Sequence, residues 1–259
     1  MSGDCVLPYH SKPTTMNSEI AFISDIHANL QALEAVLADI KDQEITEIYC
    51  LGDVVGYGGN PGECIDLIRA CGIPCIQGNH DAMATGDFGT RERDINPKAR
   101  LVIEWTYKAL SFDQRSWLAE LPMTFERPEF QAVHAMLYEP TEWRYVLNQE
   151  LAELHFPRQT HPLCLIGHTH QPAYWVDGEF KSRAITGRAS IDLQRKQVVN
   201  VGSVGQPRDH DPRACYTILR PELNEVQWQR VNYNITGAQY AIEDAGLPFS
   251  LAERLQQGR

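Results

Sequence analysis

Short apolar runs, each ending abruptly in polar residues, set the pattern of this chain. Ile20-Ala21-Phe22-Ile23 is apolar throughout, as in a strand covered on both faces. Leu30, Leu33, Val36, Leu37 and Ile40 then recur at helical spacing, and Asn29 stands at the N-cap position. The same unit follows again. A strand at 47–51 leads into the loop Gly56-Tyr57-Gly58-Gly59. Asn60-Pro61 then reads as N-cap and first turn of a helix carrying Cys64, Leu67, Ile68 and Cys71. A third, shorter strand is expected at 73–76. Alternating strand and helix predicts right-handed crossovers and a largely parallel first sheet.

Residues 82–128 read as a mostly helical excursion. Asn96-Pro97 starts a helix carrying Leu101, Val102, Trp105 and Leu110, and Trp105 and Trp117 are expected to pack in the core or under a lid. A short strand at 130–133, a helix at 147–155 and a strand at 163–166 follow. From Ala173 the pattern becomes a β-meander, with strands at 174–176, 184–186, 190–193, 198–201, 214–219 and 226–233. Several of these alternate apolar and polar, as antiparallel strands do. Residues 237–259 read as one closing helix. The expected organisation is a mobile tail over 1–18 and a single domain over 19–259.

The polar ends of the apolar runs share one chemistry. They are Asp25 and His27, Asp53 after Gly52, Asn79-His80-Asp81 after Gly78, His134, and His168 and His170 after Gly167. Neighbouring parallel strands bring such loops to one sheet edge. The donors are oxygen and nitrogen without cysteine. That mixture suits Mn, Fe, Zn or Ni better than a thiolate zinc site, and holds too much imidazole for a dedicated Mg or Ca site. The donors are too many for one tetrahedral ion but fit two if a carboxylate bridges. Two ions ~3.5–4 Å apart clamp phosphate and generate a hydroxide. His155, His161 and His210 are not expected to ligate. The stretch Asn200-Val-Gly202-Ser203-Val-Gly205-Gln206-Pro207-Arg208 suggests close backbone approach.

Charge and cysteines narrow the partners. The 259 residues carry a net charge of −11, and no basic face of the kind that binds nucleic acid is visible. A small phosphate substrate remains open, because bound dications supply positive charge. No apolar run approaches the ~20 residues of a membrane span, and residues 1–19 lack a signal-peptide pattern. The seven cysteines are scattered and read as reduced thiols of a cytoplasmic protein.

Asp25-x-His27, Gly52-Asp53, Gly78-Asn79-His80-Asp81, His134 and Gly167-His168-x-His170, in this order, resemble the signature of the calcineurin-like metallophosphoesterases. Ser24–Asn29, Gly52–Gly58 and Gly202–Arg208 are similar to a small single-domain prokaryotic branch of that family. The resemblance implies an α/β (α+β) fold: a four-layer αββα sandwich of two mixed sheets flanked by helices. It implies that Asp25, His27, Asp53 and His170 hold one divalent transition-metal ion, and bridging Asp53, Asn79, His134 and His168 the other. It implies that His80 contacts the scissile phosphate and protonates the leaving group, with Asp81 accepting the second His80 N–H. Arg208 is the candidate substrate contact. The implied activity is hydrolysis of phosphate mono- or diesters by a metal-bound hydroxide. The alternatives are a non-catalytic scaffold of the same fold and a nuclease of the superfamily. The recognition surface is expected in 82–128 and 135–160. Two departures stand out. Val55-Gly56-Tyr57-Gly58 replaces the Val-Asp-Arg-Gly of the protein Ser/Thr phosphatases, with Asp81 where they have Glu, which disfavours a phosphoprotein substrate. Ala135 follows His134 where glycine is common.

Overall fold

Strand β1 (Ile20–Ile23) is the hub of a five-stranded sheet in a computed structural model that describes residues 19–86, 97–179 and 187–259. It pairs in parallel with β2 (Glu47–Cys50) and antiparallel with β9 (Ala214–Arg220). Beyond β9 come β10 (Glu225–Val231) and the edge strand β7 (Gly187–Ser190). The second sheet has the order β3 (Thr124–Glu126), β4 (Gln131–Val133), β5 (Leu163–Ile166), β8 (Gln197–Asn200), β6 (Ala173–Val176). Its inner three strands are parallel, with antiparallel strands at both edges.

The continuous apolar runs now have a physical cause. In β1, Ala21 and Ile23 face an outer helix layer while Ile20 and Phe22 face the other sheet. In β5, Leu163 and Leu165 point between the sheets and Cys164 and Ile166 point outward. Every residue of both strands is buried, as the middle of a four-layer stack requires. Helix α1 (Leu30–Asp42) and helix α2 (Pro61–Ala70) cover the first sheet with Leu33, Val36, Ile40, Cys64, Ile65 and Ile68. Helix α6 (Gln149–His155) covers the second with Ala152. The αββα sandwich of two mixed sheets is therefore the fold. Among the described residues, no helix is long and apolar enough to cross a membrane.

The structure corrects several local expectations. The C-terminal meander is divided: β7, β9 and β10 complete the first sheet, while β6 and β8 join the second. The strand expected at 73–76 shrinks to a single parallel bridge, Cys50 with Cys75, since Pro74 has no N–H for a ladder. The closing helix is two, α7 (Ile235–Asp244) and α8 (Phe249–Gln257). Gly246 at φ +68° turns the chain between them, and Pro248 precedes the second. The excursion at 82–128 contains α3 (Asn79–Ala84), α4 (Pro97–Ala109) and α5 (Phe112–Ala119). Trp105 packs with the α7–α8 pair and Trp117 with the core under α1 and α2. Asn29 caps α1 by accepting the Ala32 N–H at 3.1 Å, whereas the Asn60 side chain makes no cap bond. The tail at 1–18, Cys5, Asn96 and the strand at 184–186 lie outside the described residues. Among the described residues none of the other cysteines forms a disulfide, and all are buried.

Candidate metal centre

Both sheets deliver their ligand loops to one edge. Asp25 and His27 follow β1, Asp53 follows β2, His134 follows β4, and His168 and His170 follow β5. Asn79 and His80 open α3. All of these except Asn79 are buried. Five of them sit in the left-handed region: Asp25 at φ 52°, His27 at 50°, Asp53 at 53°, His168 at 68° and His170 at 60°. Asp and His enter this region more readily than most residues, but a run of them stores strain of a kind that clusters at functional sites. Cross-loop backbone bonds hold it. Asp25 N–H donates to Gly52 O at 3.0 Å, His27 N–H to Asp53 O at 2.9 Å, and Gly205 N–H to Asp25 O at 3.0 Å. Two glycines are required by close approach. A Cβ on Gly78 would collide with the Asp53 carboxylate, and one on Gly167 with Ser24 and Asp25.

The second nitrogen of each ring settles the role of the first. His27 Nδ1 lies 3.1 Å from Val55 O, His134 Nδ1 2.7 Å from Leu51 O, and His170 Nδ1 2.6 Å from Gln206 O. His168 uses Nε2, 2.8 Å from Trp143 O. A carbonyl only accepts, so each of these nitrogens carries the proton and the other is free to ligate. Burial lowers His27 and His170 well below the usual imidazole range and His168 to about 3, keeping them neutral. The Nε2 atoms of His27 and His170 are nevertheless 3.0 Å apart. Two lone pairs that close repel unless a cation sits beside both. His134 goes the other way: burial pulls it down, but the charge and hydrogen bond of Asp53, with the Asp25 charge and the Leu51 carbonyl, together lift it to about 10. Its Nε2 faces Asp53 Oδ2 across 3.4 Å, a gap that a proton or a metal ion fills.

The carboxylates complete two groups. Asp25 Oδ1 lies 3.3 Å from His170 Nε2 and 3.8 Å from His27 Nε2. Asp53 Oδ2 lies 3.6 Å from His27 Nε2 and 3.4 Å from His134 Nε2, so it stands between the groups. Asp25, His27 and His170 converge as one possible metal site and Asp53, His134 and His168 as another; His27, Asp53 and His80 form a third combination that shares members with both. Asp25 Oδ1, Asn79 Oδ1 and His134 Nε2 are buried without a hydrogen-bond partner. Buried polar atoms are normally satisfied, and each of these is a donor atom of the expected ligand set. The residues present therefore fit bound cations. Burial raises Asp25 to about 6, whereas Asp53, although buried, is held well below the carboxylate range by His134, His80 and His27.

One expected role is overturned. Asp81 does not hold the His80 ring. Its Oδ2 accepts the N–H groups of Asp53 at 2.7 Å and Gly78 at 3.0 Å, and its Oδ1 that of Val55 at 3.2 Å. Both oxygens are thus spent on the loop that carries Asp53. The His80 ring packs against Tyr57 and His27, with centroids 4.5 and 5.0 Å away, and its buried Nδ1 has no partner. Arg208 lies beside the centre, donating from Nη2 to Gln206 Oε1 at 2.9 Å, with its Cζ 5.7 Å from the Tyr57 ring.

Other neighbours carry no motif. The Tyr145 ring stacks on His168 at 4.0 Å, and Trp143 both receives the His168 proton and packs on His134 at 5.9 Å. Both belong to the 135–160 segment expected to form the recognition surface. Gln206 and Tyr57 lie in stretches already singled out, whereas within 135–160 no motif marked Trp143 in particular as a neighbour of the expected ligands.

Comparison with known proteins follows the same outline. The family profile described as calcineurin-like phosphoesterase superfamily domain matches residues 19–223. The chain is 37% identical over 250 residues to the uncharacterized protein MJ0912 of Methanocaldococcus jannaschii, covering 94% of this chain and 100% of that one. The crystal structure of a metallophosphoesterase from Sphaerobacter thermophilus is similar at TM-score 0.83 and 38% identity, over 93% of this chain and 99% of that one. The hypothetical protein PH1004 of Pyrococcus horikoshii shares the fold at TM-score 0.77 and 19% identity, over 93% and 99% of the two chains.

Proposed function

The chain belongs to the calcineurin-like phosphoesterase superfamily, and from that premise we propose that it hydrolyses phosphate esters of small molecules at a centre of two divalent transition-metal ions. The observation that carries the proposal is the set of buried, unpartnered donor atoms on Asp25, Asn79 and His134, together with the facing Nε2 atoms of His27 and His170. In this reading Asp25, His27, Asp53 and His170 hold one ion, and Asp53, Asn79, His134 and His168 the other, with Asp53 bridging. Bound ions of this kind supply Lewis acidity toward phosphate and lower the pKa of water.

The protein residues supply geometry and proton traffic. Carbonyls of Leu51, Val55, Trp143 and Gln206 fix which ring nitrogen faces inward, as such partners do at metal sites. Asp81 ties Gly78, Asp53 and Val55 together and so positions the bridging carboxylate rather than His80. His80 stays outside the ligand set, and its imidazole is the group that acts on the phosphate. Arg208 adds a guanidinium that binds phosphate oxygens. The buried thiols, none of them in a disulfide among the described residues, support a reducing, cytoplasmic setting.

The test is a panel of phosphomonoesters and phosphodiesters with protein purified without chelator and with Mn-loaded protein, alongside elemental analysis. Metal content approaching two ions per chain with turnover of at least one ester class is the expected result. Bound metal with no turnover of any ester would turn the reading to a metal-binding scaffold. Failure to retain metal would remove the centre itself.

A further inference from the structure

Beyond the matched residues 19–223, the α7–α8 pair returns to the ligand edge. Ala238, Ile242 and Leu255 from these helices line a pocket with His27, Tyr57 and Gln206. Arg254, in the last turn of α8, reaches the same place. Its Nη1 donates to Gln206 Oε1 at 3.4 Å, the oxygen that Arg208 Nη2 also takes at 2.9 Å. Both guanidinium carbons lie near the Tyr57 ring, at 5.7 Å for Arg208 and 6.0 Å for Arg254. Tyr57 in turn touches His27 at 4.7 Å and His80 at 4.5 Å. One aromatic ring therefore separates the arginine pair from the metal ligands.

The pair lacks an anion. Among the described residues, no carboxylate makes a salt bridge with Arg208 or Arg254. Arg208 Nε is buried without a partner. Burial and the charge of Arg208 lower the Arg254 pKa, the mark of two like charges facing each other. The shared Gln206 amide oxygen and the Tyr145 hydroxyl beside Arg208 are neutral partners that leave most of the donors of the two guanidinium groups unused. Other arginines among the described residues are ion-paired: Arg230 with Asp209, Arg220 with Glu19 and Arg213 with Asp211. In a chain of net charge −11, an unpaired couple beside the centre is not a by-product of excess arginine.

We propose that Arg208 and Arg254 form a second anion subsite, built across the family fold and the C-terminal helices, which selects phosphate esters carrying a second phosphoryl group. A phosphoryl group offers several charged oxygens to two planar forks at once, which a carboxylate matches less fully. The phosphoryl group to be cleaved faces the metal ligands and the retained one lies past Tyr57 against the arginines. The subsite rests on the phosphoesterase reading, which it sharpens to a substrate class.

The test measures binding and turnover separately. Titration calorimetry on the metal-loaded full chain compares adenosine 3′,5′-bisphosphate with adenosine 5′-monophosphate. The wild type binds the bisphosphate about tenfold or more tightly, as expected for charge-assisted bonds. Arg254→Gln abolishes most of this preference, and Arg254→Lys, which keeps the charge without the fork, restores part of it. Thermal melts confirm that both variants fold. Equal affinity for the two ligands in the wild type, or an unchanged preference in Arg254→Gln, overturns the subsite. Hydrolysis of p-nitrophenyl phosphate and bis(p-nitrophenyl) phosphate by the wild type, run alongside, reports on the phosphoesterase reading alone, because these esters carry no second phosphoryl group for the arginines.

Discussion

The ligand loops and the rim around them are built on opposite terms. In the loops, each imidazole of the expected ligand set is clamped by a backbone carbonyl 2.6–3.1 Å away. Five of the side chains stand on strained backbone, and the glycines between them leave no room for a methyl group. The rim is looser. Tyr145 is 41% exposed, and Arg254 holds its one hydrogen bond at 3.4 Å. The loop before α6 carries two left-handed residues, Glu139 and Trp143. A centre over-determined from many sides holds one chemistry, while a rim held by few contacts can change what it admits.

The sharpest way to break this contrast is at Asp53. Asp53→Ala removes the carboxylate standing between both groups of donors, and elemental analysis should find close to none of either ion, with activity lost. Full metal content in that variant would show that Asp53 does not bridge.

His80→Ala comes next. It should leave metal content and fold intact, while kcat/KM on an ester with an alkoxide leaving group falls ~10²–10⁴-fold, as for loss of an acid. A nitrophenyl ester, whose leaving group needs no proton, should lose much less. Equal losses on both would give His80 a purely electrostatic role. Loss of metal would move it into the ligand set, through the combination with His27 and Asp53.

Asp81→Asn tests the positioning role directly. The amide can accept only part of what the carboxylate takes from Gly78, Asp53 and Val55, and it turns an NH₂ toward other donors. Metal affinity, read by chelator competition, should weaken ~10–100-fold with the leaving-group dependence of His80 unchanged. A changed leaving-group dependence at constant metal affinity would return Asp81 to His80.

The smallest effect concerns the rim. His155 on α6 is buried, and burial lowers its pKa to about 3, with Nδ1 accepting the Leu137 N–H at 3.4 Å. Its pKa is lower folded than unfolded, so protons favour the unfolded chain. The stability it leaves intact above pH ~6.5 is lost as pH falls toward 3. Between pH 6.5 and 5 the loss is about 2 kcal/mol. Melts of wild type and His155→Gln at both pH values should differ by this amount, with the variant less acid-sensitive. Identical pH slopes would show that His155 is not held neutral by the fold.

Much of the centre was legible in the chain before any coordinates. Strand ends are local events: an apolar run stops, and the next residues are the donors. Asp25, His27, Asp53, His134, His168 and His170 could all be found this way, because a sheet edge gathers whatever its strands end in. The misses are of two kinds. Pro74 weakened a strand in plain sight, and Gly246 with Pro248 marked a helix break; these were local signals overlooked. Asp81 was different. Its neighbour in sequence is His80, but its partners in space include Asp53 and Val55, more than two dozen residues away.

By itself, then, the sequence determined the layers and the donor set, because burial on two faces and residue chemistry are written position by position. Only the tertiary structure decided the rest. Which nitrogen of each imidazole is left without a proton depends on carbonyls brought in from distant loops. How the meander divides between two sheets depends on which edges were left unpaired. And Arg254 comes near Arg208 only because the last helix packs on α7 while its end bonds the loop at His210, bringing residues 46 apart in sequence to one oxygen on Gln206 that no local pattern could reveal.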